Sequence, residues 1–215
     1  MVVVPVSPAT SRPARAVKRI LARLPEARVL VLDQRRSAIH AADPIPEDPR
    51  VTRVSGRGRG SELAQLDGLR YAFEHDFAGA LTVEMDGRID PRGLRPLAES
   101  RLDGELLLGI RGPHRPFSWI DPRSWPVGLI GMVSRWTLGA ALVDPATPFR
   151  LYGRRALALV SEPPQAAPAN FQLGSLKRIL AAGLRVQEIP LPASRRSLLR
   201  SALLSSLALL RLRKP

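Results

Sequence analysis

The sequence predicts an α/β fold, a mostly parallel sheet flanked by helices. Three observations carry that prediction. Short apolar runs rich in valine and leucine recur along the chain, amphipathic helical stretches separate them, and acidic or glycine-rich turns follow several of the runs. At 215 residues and 45% apolar content, the chain has enough material for a real core in one large domain, or one domain with an appendage. The runs are continuous rather than alternating, which is the pattern of strands buried on both faces.

Residues 1–6 form the first run, and Ala14, Val17, Ile20, Leu21 and Leu24 then recur at helical spacing within 11–24. Residues 28–33 (Arg-Val-Leu-Val-Leu-Asp) make a second buried strand, placing Asp33 at its carboxyl end, and 34–50 are polar and proline-rich. A short strand at 51–54 enters Ser55-Gly56-Arg57-Gly58-Arg59-Gly60-Ser61, where Ser61 can cap a helix running to His75. Glycine amides and arginines there can meet phosphate; a flexible turn is the other reading, since neither dinucleotide-binding nor P-loop spacing is matched. Residues 80–84 and 105–110 read as strands around a helix over 91–101. Four or five strands alternating with helices give a parallel-rich sheet. Residues 111–126 form a long loop with four prolines, of the kind that serves as a lid or acceptor-binding segment. Helices over 127–142, 154–161 and 171–182 and a strand over 185–189 complete the domain, and no internal repeat is present.

The most informative stretch is Thr82-Val83-Glu84-Met85-Asp86-Gly87-Arg88-Ile89-Asp90-Pro91. An apolar run ends in carboxylates at i and i+2, which can converge on one hard cation; Mg2+ or Mn2+ favours such oxygen ligands and can bridge to a diphosphate. Asp90-Pro91 reads as a helix cap followed by proline at the first helical position. The segment is therefore strand, acidic turn, helix, the way an α/β fold offers ligands at the carboxyl end of a strand. A lone pair of this kind is equally the mark of a solvated turn.

Composition bounds the function. Without cysteine there is no disulfide framework, thiolate nucleophile or cysteine-ligated zinc or iron-sulfur site, and a cytosolic setting is favoured. The net charge of +14 is carried mostly by arginine, with Lys18, Lys177 and Lys214 the only lysines. Arginine suits bidentate phosphate contacts, so the excess predicts anionic partners: nucleotides, lipid phosphates or a membrane surface. Aromatic content of 5% and the lack of a recognised motif argue against specific nucleic-acid binding. His40, His75 and His114 lack ligand spacing. The start of the chain lacks a basic n-region and a long apolar run, so it reads as a strand rather than a signal peptide.

In their order, these features resemble the family 2 glycosyltransferases of GT-A fold, a Rossmann-like architecture, and especially the polyprenyl-phosphate (dolichol-phosphate-mannose-type) synthases. The likeness spans 1–192, taken as one domain. It rests on Val2-Val3-Val4-Pro5-Val6, Val29 to Asp33, Arg59-Gly60 to Gly68, Glu84 to Pro91, Gly109-Ile110-Arg111, Asp144-Pro145 to Tyr152, and Gly183 to Leu191. The resemblance implies that Asp33 meets the nucleotide base or ribose and that Glu84 and Asp86 hold the metal and the donor diphosphate. It puts Pro5, Arg57 and Arg59 on the donor side as well. Arg111 matches an arginine placed to hold an acceptor phosphate, and Arg150 lies in the stretch that closes over that side. Asp86, Arg111 and Arg150 are thus the expected catalytic group.

Four departures qualify the match: Gln34 replaces a second acid, Ser7-Pro8-Ala9 replaces Tyr-Asn-Glu, Pro148 replaces a glycine, and Phe171 to Leu176 lacks the acid many members carry. A sugar hydroxyl must lose a proton during attack, whereas a phosphate monoester with a second pKa of about 6 is already mostly dianionic at neutral pH. The missing base therefore favours a polyprenyl-phosphate acceptor. The resemblance implies an inverting transferase using a nucleoside-diphosphate sugar. A catalytically silent relative that binds nucleotide or lipid phosphate, or serves as a partner subunit, is the alternative. A nucleotidyltransferase is a second alternative, although the glycine-rich loop such enzymes carry after the first strand is absent.

Residues 193–215 read as a basic amphipathic helix. Ser197, Ser201 and Ser205 recur every four residues with Arg200 beside them, leaving a broad leucine face. The uncharged stretch between Arg200 and Arg211 is ten residues, too short to span a bilayer. An interfacial helix over 194–215 fits, holding a cytoplasmic protein on the inner face of the membrane. Packing on the domain, or on a second copy in a homo-oligomer, is the other reading.

Overall fold

The first strand, β1 (Val2–Val6), is buried at every position, and so is β2 (Val29–Asp33) beside it. Side chains alternate across a strand, so burial throughout requires a layer on each face. Val3, Leu30 and Leu32 enter one apolar cluster, while Val2, Val4, Val6, Val29 and Val31 enter the other. The computed structural model describes residues 1–6, 12–34, 44–55, 61–83, 93–100, 105–111, 125–162 and 171–191.

Among these residues, the remaining elements are α1 (Pro13–Arg23), β3 (Val51–Ser55), α2 (Ser61–Glu74), β4 (Gly79–Thr82), α3 (Leu94–Glu99), β5 (Leu106–Arg111), α4 (Trp125–Leu138), β6 (Arg150–Gly153), α5 (Arg154–Ser161), α6 (Phe171–Ala181) and β7 (Val186–Leu191). They build a seven-stranded sheet in the order β3-β2-β1-β4-β6-β5-β7. Only β6 runs against the others, pairing antiparallel with β4 and β5. The sequence reading contains no strand there. Four residues that open on arginine and run straight into a helix are too few to show a period of two. The helix over 127–142 is also corrected: α4 stops at Leu138 because Gly139 adopts a left-handed φ of 77° and closes the last turn through its N–H to the Arg135 carbonyl, 3.0 Å away.

One face of the sheet is covered by α1, through Val17, Ile20 and Leu21, and by α3, through Leu94 and Leu97. Helices α2, α5 and α6 cover the other, through Leu66, Leu69, Leu157, Val160, Leu173, Leu176 and Ile179. Helix α2 crosses β1 and β2 closely at Gly68, where an added Cβ would sit 2.2 Å from Val3 Cγ1 and 2.8 Å from Leu32 Cδ1. Glycine is what permits that approach. Glu62 on α2 accepts the Phe171 N–H at 2.8 Å, satisfying a donor in the first turn of α6 and tying the two helices together.

Candidate functional site

Strand order fixes where a site can form. From β1 the chain steps outward to β2 and β3, then returns through α2 to β4 on the other side of β1. The two directions part between β1 and β4, and in open α/β sheets ligands bind beyond the carboxyl ends of strands at such a switch point. Every parallel strand ends on this edge. Val6 lies level with Asp33 and Ser55, and Thr82 ends β4 beside Val3.

Pro5 shapes the crevice. The Val2 N–H donates toward β2, to the Arg28 carbonyl, at 2.8 Å. Backbone donors alternate sides along a strand, so the N–H that Pro5 lacks falls on the β4 side. Pairing there runs only through Val2–Leu81 and Val3–Thr82, closed by the Val83 N–H on the Val3 carbonyl at 3.2 Å. The proline thus ends the ladder just before the chain reaches Glu84-Met85-Asp86. Glu84 and Asp86, the candidate metal ligands, lie outside the described residues, as do Arg57 and Arg59. Among the described residues no cluster of three histidine, aspartate or glutamate side chains could hold a metal.

Asp33 ends β2 on this edge with its side chain buried, 5% exposed. Arg53 Nη2 donates to its Oδ2 at 2.7 Å from β3, so a cation two residues before the Ser55 turn holds the carboxylate. Gln34, where the resemblance leads one to look for a second acid, is buried beside it, and its N–H donates to the Val6 carbonyl at 2.9 Å. Arg111 is the last residue of β5, level with Leu191 on β7.

Arg150 has a different place from the one its resemblance implies. Its side chain is 1% exposed, and its guanidinium is spent on carbonyls: Nε on Thr147 at 2.8 Å, Nη2 on Pro145 at 2.6 Å, and Nη1 on Gln172 at 2.5 Å. In this geometry it is a clamp between the 144–148 turn and α6 rather than a contact for an acceptor. Ser175 stands against Nη1 at 3.4 Å and donates to the Gln172 carbonyl at 3.0 Å.

The same turn is held by three side chains that sequence reasoning passed over. Thr147 Oγ1 donates to the Gly109 carbonyl at 2.6 Å, and Thr82 Oγ1 donates to the Pro148 carbonyl at 3.1 Å. Glu188 Oε1, on β7, accepts the Val143 and Asp144 N–H groups at 2.8 and 3.0 Å. Burial raises the Glu188 pKa, the two amides lower it, and the neighbouring Asp144 carboxylate raises it further, for a net upward shift. Threonines inside apolar runs and a glutamate on an edge strand look in sequence like filler and solvated charge. No local signal marks Thr82 and Glu188 as partners of a turn 66 and 45 residues away in the chain.

No family model matches the chain, and no curated protein matches it in sequence. Solved structures do match in fold. Glucosyl-3-phosphoglycerate synthase from Mycobacterium tuberculosis, solved with Mn2+ and UDP-glucose, superposes with a TM-score of 0.64 at 15% identity, covering 98% of this chain and 76% of its own. Mannosyl-3-phosphoglycerate synthase from Rubrobacter xylanophilus gives 0.63 at 16%, covering 98% and 71%. The 4-diphosphocytidyl-2C-methyl-D-erythritol synthase from Anaerococcus prevotii gives 0.55 at 11%, covering 98% and 95%. The sheet order and flanking helices are those of the GT-A, Rossmann-like architecture.

Proposed function

We propose that the protein is a glycosyltransferase that moves a sugar from a nucleoside diphosphate to a phosphate-bearing acceptor, with polyprenyl phosphate as that acceptor. The observation that carries the reading is the Pro5-ended crevice between β1 and β4, from which the chain runs directly into Glu84-Met85-Asp86. Two carboxylates one residue apart fit Mg2+ or Mn2+ by the chemistry of the donor set. A metal bound there would neutralise charge on the departing diphosphate. The presence of Mn2+ and UDP-glucose in the mycobacterial relative supports the same chemistry, and phosphoglycerate, in the names of both synthases, is itself a phosphate-bearing acid.

The protein's own residues supply the rest. Asp33, fixed by Arg53, would orient the nucleoside; Arg57 or Arg59 would assist at the diphosphate; Arg111 would hold the acceptor phosphate; and Arg150 would act at one remove, by keeping the 144–148 turn in place. A phosphate oxygen attacks the anomeric carbon as the bond to the diphosphate oxygen breaks, with inversion. No proton need leave the acceptor, which agrees with a helix α6 whose first turns offer Ser175 where other members carry an acid. The Rubrobacter and mycobacterial names favour a sugar transfer over a nucleotidyl transfer, as does Ser7-Pro8-Ala9-Thr10-Ser11, which has no glycine to cradle a triphosphate.

The test is transfer of labelled sugar from UDP- and GDP-sugars, with Mn2+, to a short-chain polyprenyl phosphate or to 3-phosphoglycerate. Label entering the organic phase only with polyprenyl phosphate, and falling at least about 100-fold in Asp86→Ala, is the expected result. Label passing to phosphoglycerate alone would overturn the lipid acceptor. No turnover with any acceptor or donor, in a folded protein, would leave a catalytically silent binding protein, and pyrophosphate release from a nucleoside triphosphate would point to nucleotidyl transfer.

A further inference from the structure

Helix α4 carries a second surface that the transfer reaction does not use. Its sequence, Trp-Pro-Val-Gly-Leu-Ile-Gly-Met-Val-Ser-Arg-Trp-Thr-Leu, contains no acid. Ile130, Ser134 and Leu138 are buried, so this side faces the protein; Ser134 Oγ fixes it by accepting the Leu142 N–H at 2.8 Å. Leu129, Met132 and Trp136 are 51%, 64% and 58% exposed. Their spacing of three and four residues puts them in one stripe along the helix. Single exposed apolar residues are ordinary; among the described residues, however, three of the four large exposed ones stand together here, with exposed Arg135 at their flank.

We infer that this stripe is a docking surface for an anionic phospholipid bilayer. An apolar ridge with tryptophan at one end and arginine beside it suits the headgroup boundary, where the ring takes the interface and the cation meets lipid phosphate. Charge selects this occupant over a second copy of the chain. A two-fold contact through α4 would bring Arg135 toward its own copy and set one +14 chain against another. Segment 193–215 is a poorer occupant for the same reason, as Arg195, Arg196, Arg200, Arg211, Arg213 and Lys214 add cations without an acid. The negative leaflet is the surface that rewards the excess. Among the described residues no helix is long and apolar enough to cross a membrane, so the contact is peripheral.

Co-sedimentation of the full chain tests this, with phosphatidylcholine vesicles and with vesicles containing roughly one quarter phosphatidylglycerol. The expected result is binding to the anionic vesicles that weakens with salt, and a loss of at least about tenfold in affinity when Leu129, Met132 and Trp136 are all replaced by serine. Met132→Glu alone, at the most exposed of the three positions, should weaken binding in the same direction without touching the core. Wild-type failure to bind anionic vesicles would overturn the inference, as would a triple variant that binds like wild type. So would a triple variant that only converts a dimer to a monomer in sedimentation, which would assign the stripe to a second copy. Vesicle binding is read without donor or acceptor, so its failure leaves the proposed transfer reaction untouched.

Discussion

Arg150 shows how far a side chain's role depends on what it faces. Read in sequence, an arginine before Leu-Tyr invites a phosphate; folded, it satisfies three carbonyls from two segments. Arg150→Ala would leave those buried acceptors unpaired and should cost about 3–5 kcal/mol of stability by chemical denaturation. Arg150→Lys should recover little of that, because a point ammonium cannot reproduce the planar fork. Glu188 gives a prediction with a sign. Its native pKa lies above the ordinary 4.5, so the folded state holds a proton that the unfolded state has released, and Glu188 costs stability as pH rises from 4.5 through its native pKa. Glu188→Gln keeps an acceptor for the Val143 and Asp144 amides and removes the titration. The variant should therefore gain on wild type in denaturation midpoint as pH rises from the ordinary 4.5 through the raised native pKa. A gap that stays constant with pH would refute this. Asp33 was legible as an acid at a strand end; its partner Arg53, 20 residues on, was not, because only the β2–β3 register brings them together.

At the scale of elements, periodicity and punctuation made most of the fold readable. The apolar spacing of Ala14, Val17, Ile20, Leu21 and Leu24 located α1, and the valine and leucine runs located β1, β2 and β5. What escaped was β6, whose place between β4 and β5 comes from pairing across the sheet rather than from its own four residues. Gly68 reads in sequence as a weakness in α2, and the structure gives it a purpose. Gly68→Ala should destabilise the protein by about 1–3 kcal/mol despite alanine's better helix propensity, because the methyl must displace Val3 and Leu32. An unchanged or raised thermal midpoint would show that α2 can move away from β1 at little cost.

For the whole molecule, two facts converge on one edge of the sheet. Strand order sets the switch point between β1 and β4, and the sequence places arginine and acid in the segments that follow β3 and β4. The architecture was legible because the central strands β1, β2, β4 and β5 leave buried apolar runs that a sequence displays. The site was legible only as residue types: which side chains hold the 144–148 turn depends on contacts between segments far apart in the chain. The transfer reaction proposed above requires the crevice to bind a nucleoside diphosphate through a metal. Thermal shift of the full chain with UDP, GDP, CDP and dTDP, each with and without Mn2+ and repeated on Asp86→Ala, tests it most directly, since a ligand that binds the folded state alone raises its apparent stability. One nucleotide should stabilise the wild type only with Mn2+, and Asp86→Ala, equally folded, should lose the shift. No shift with any nucleotide, or one that survives in Asp86→Ala, would contradict that requirement.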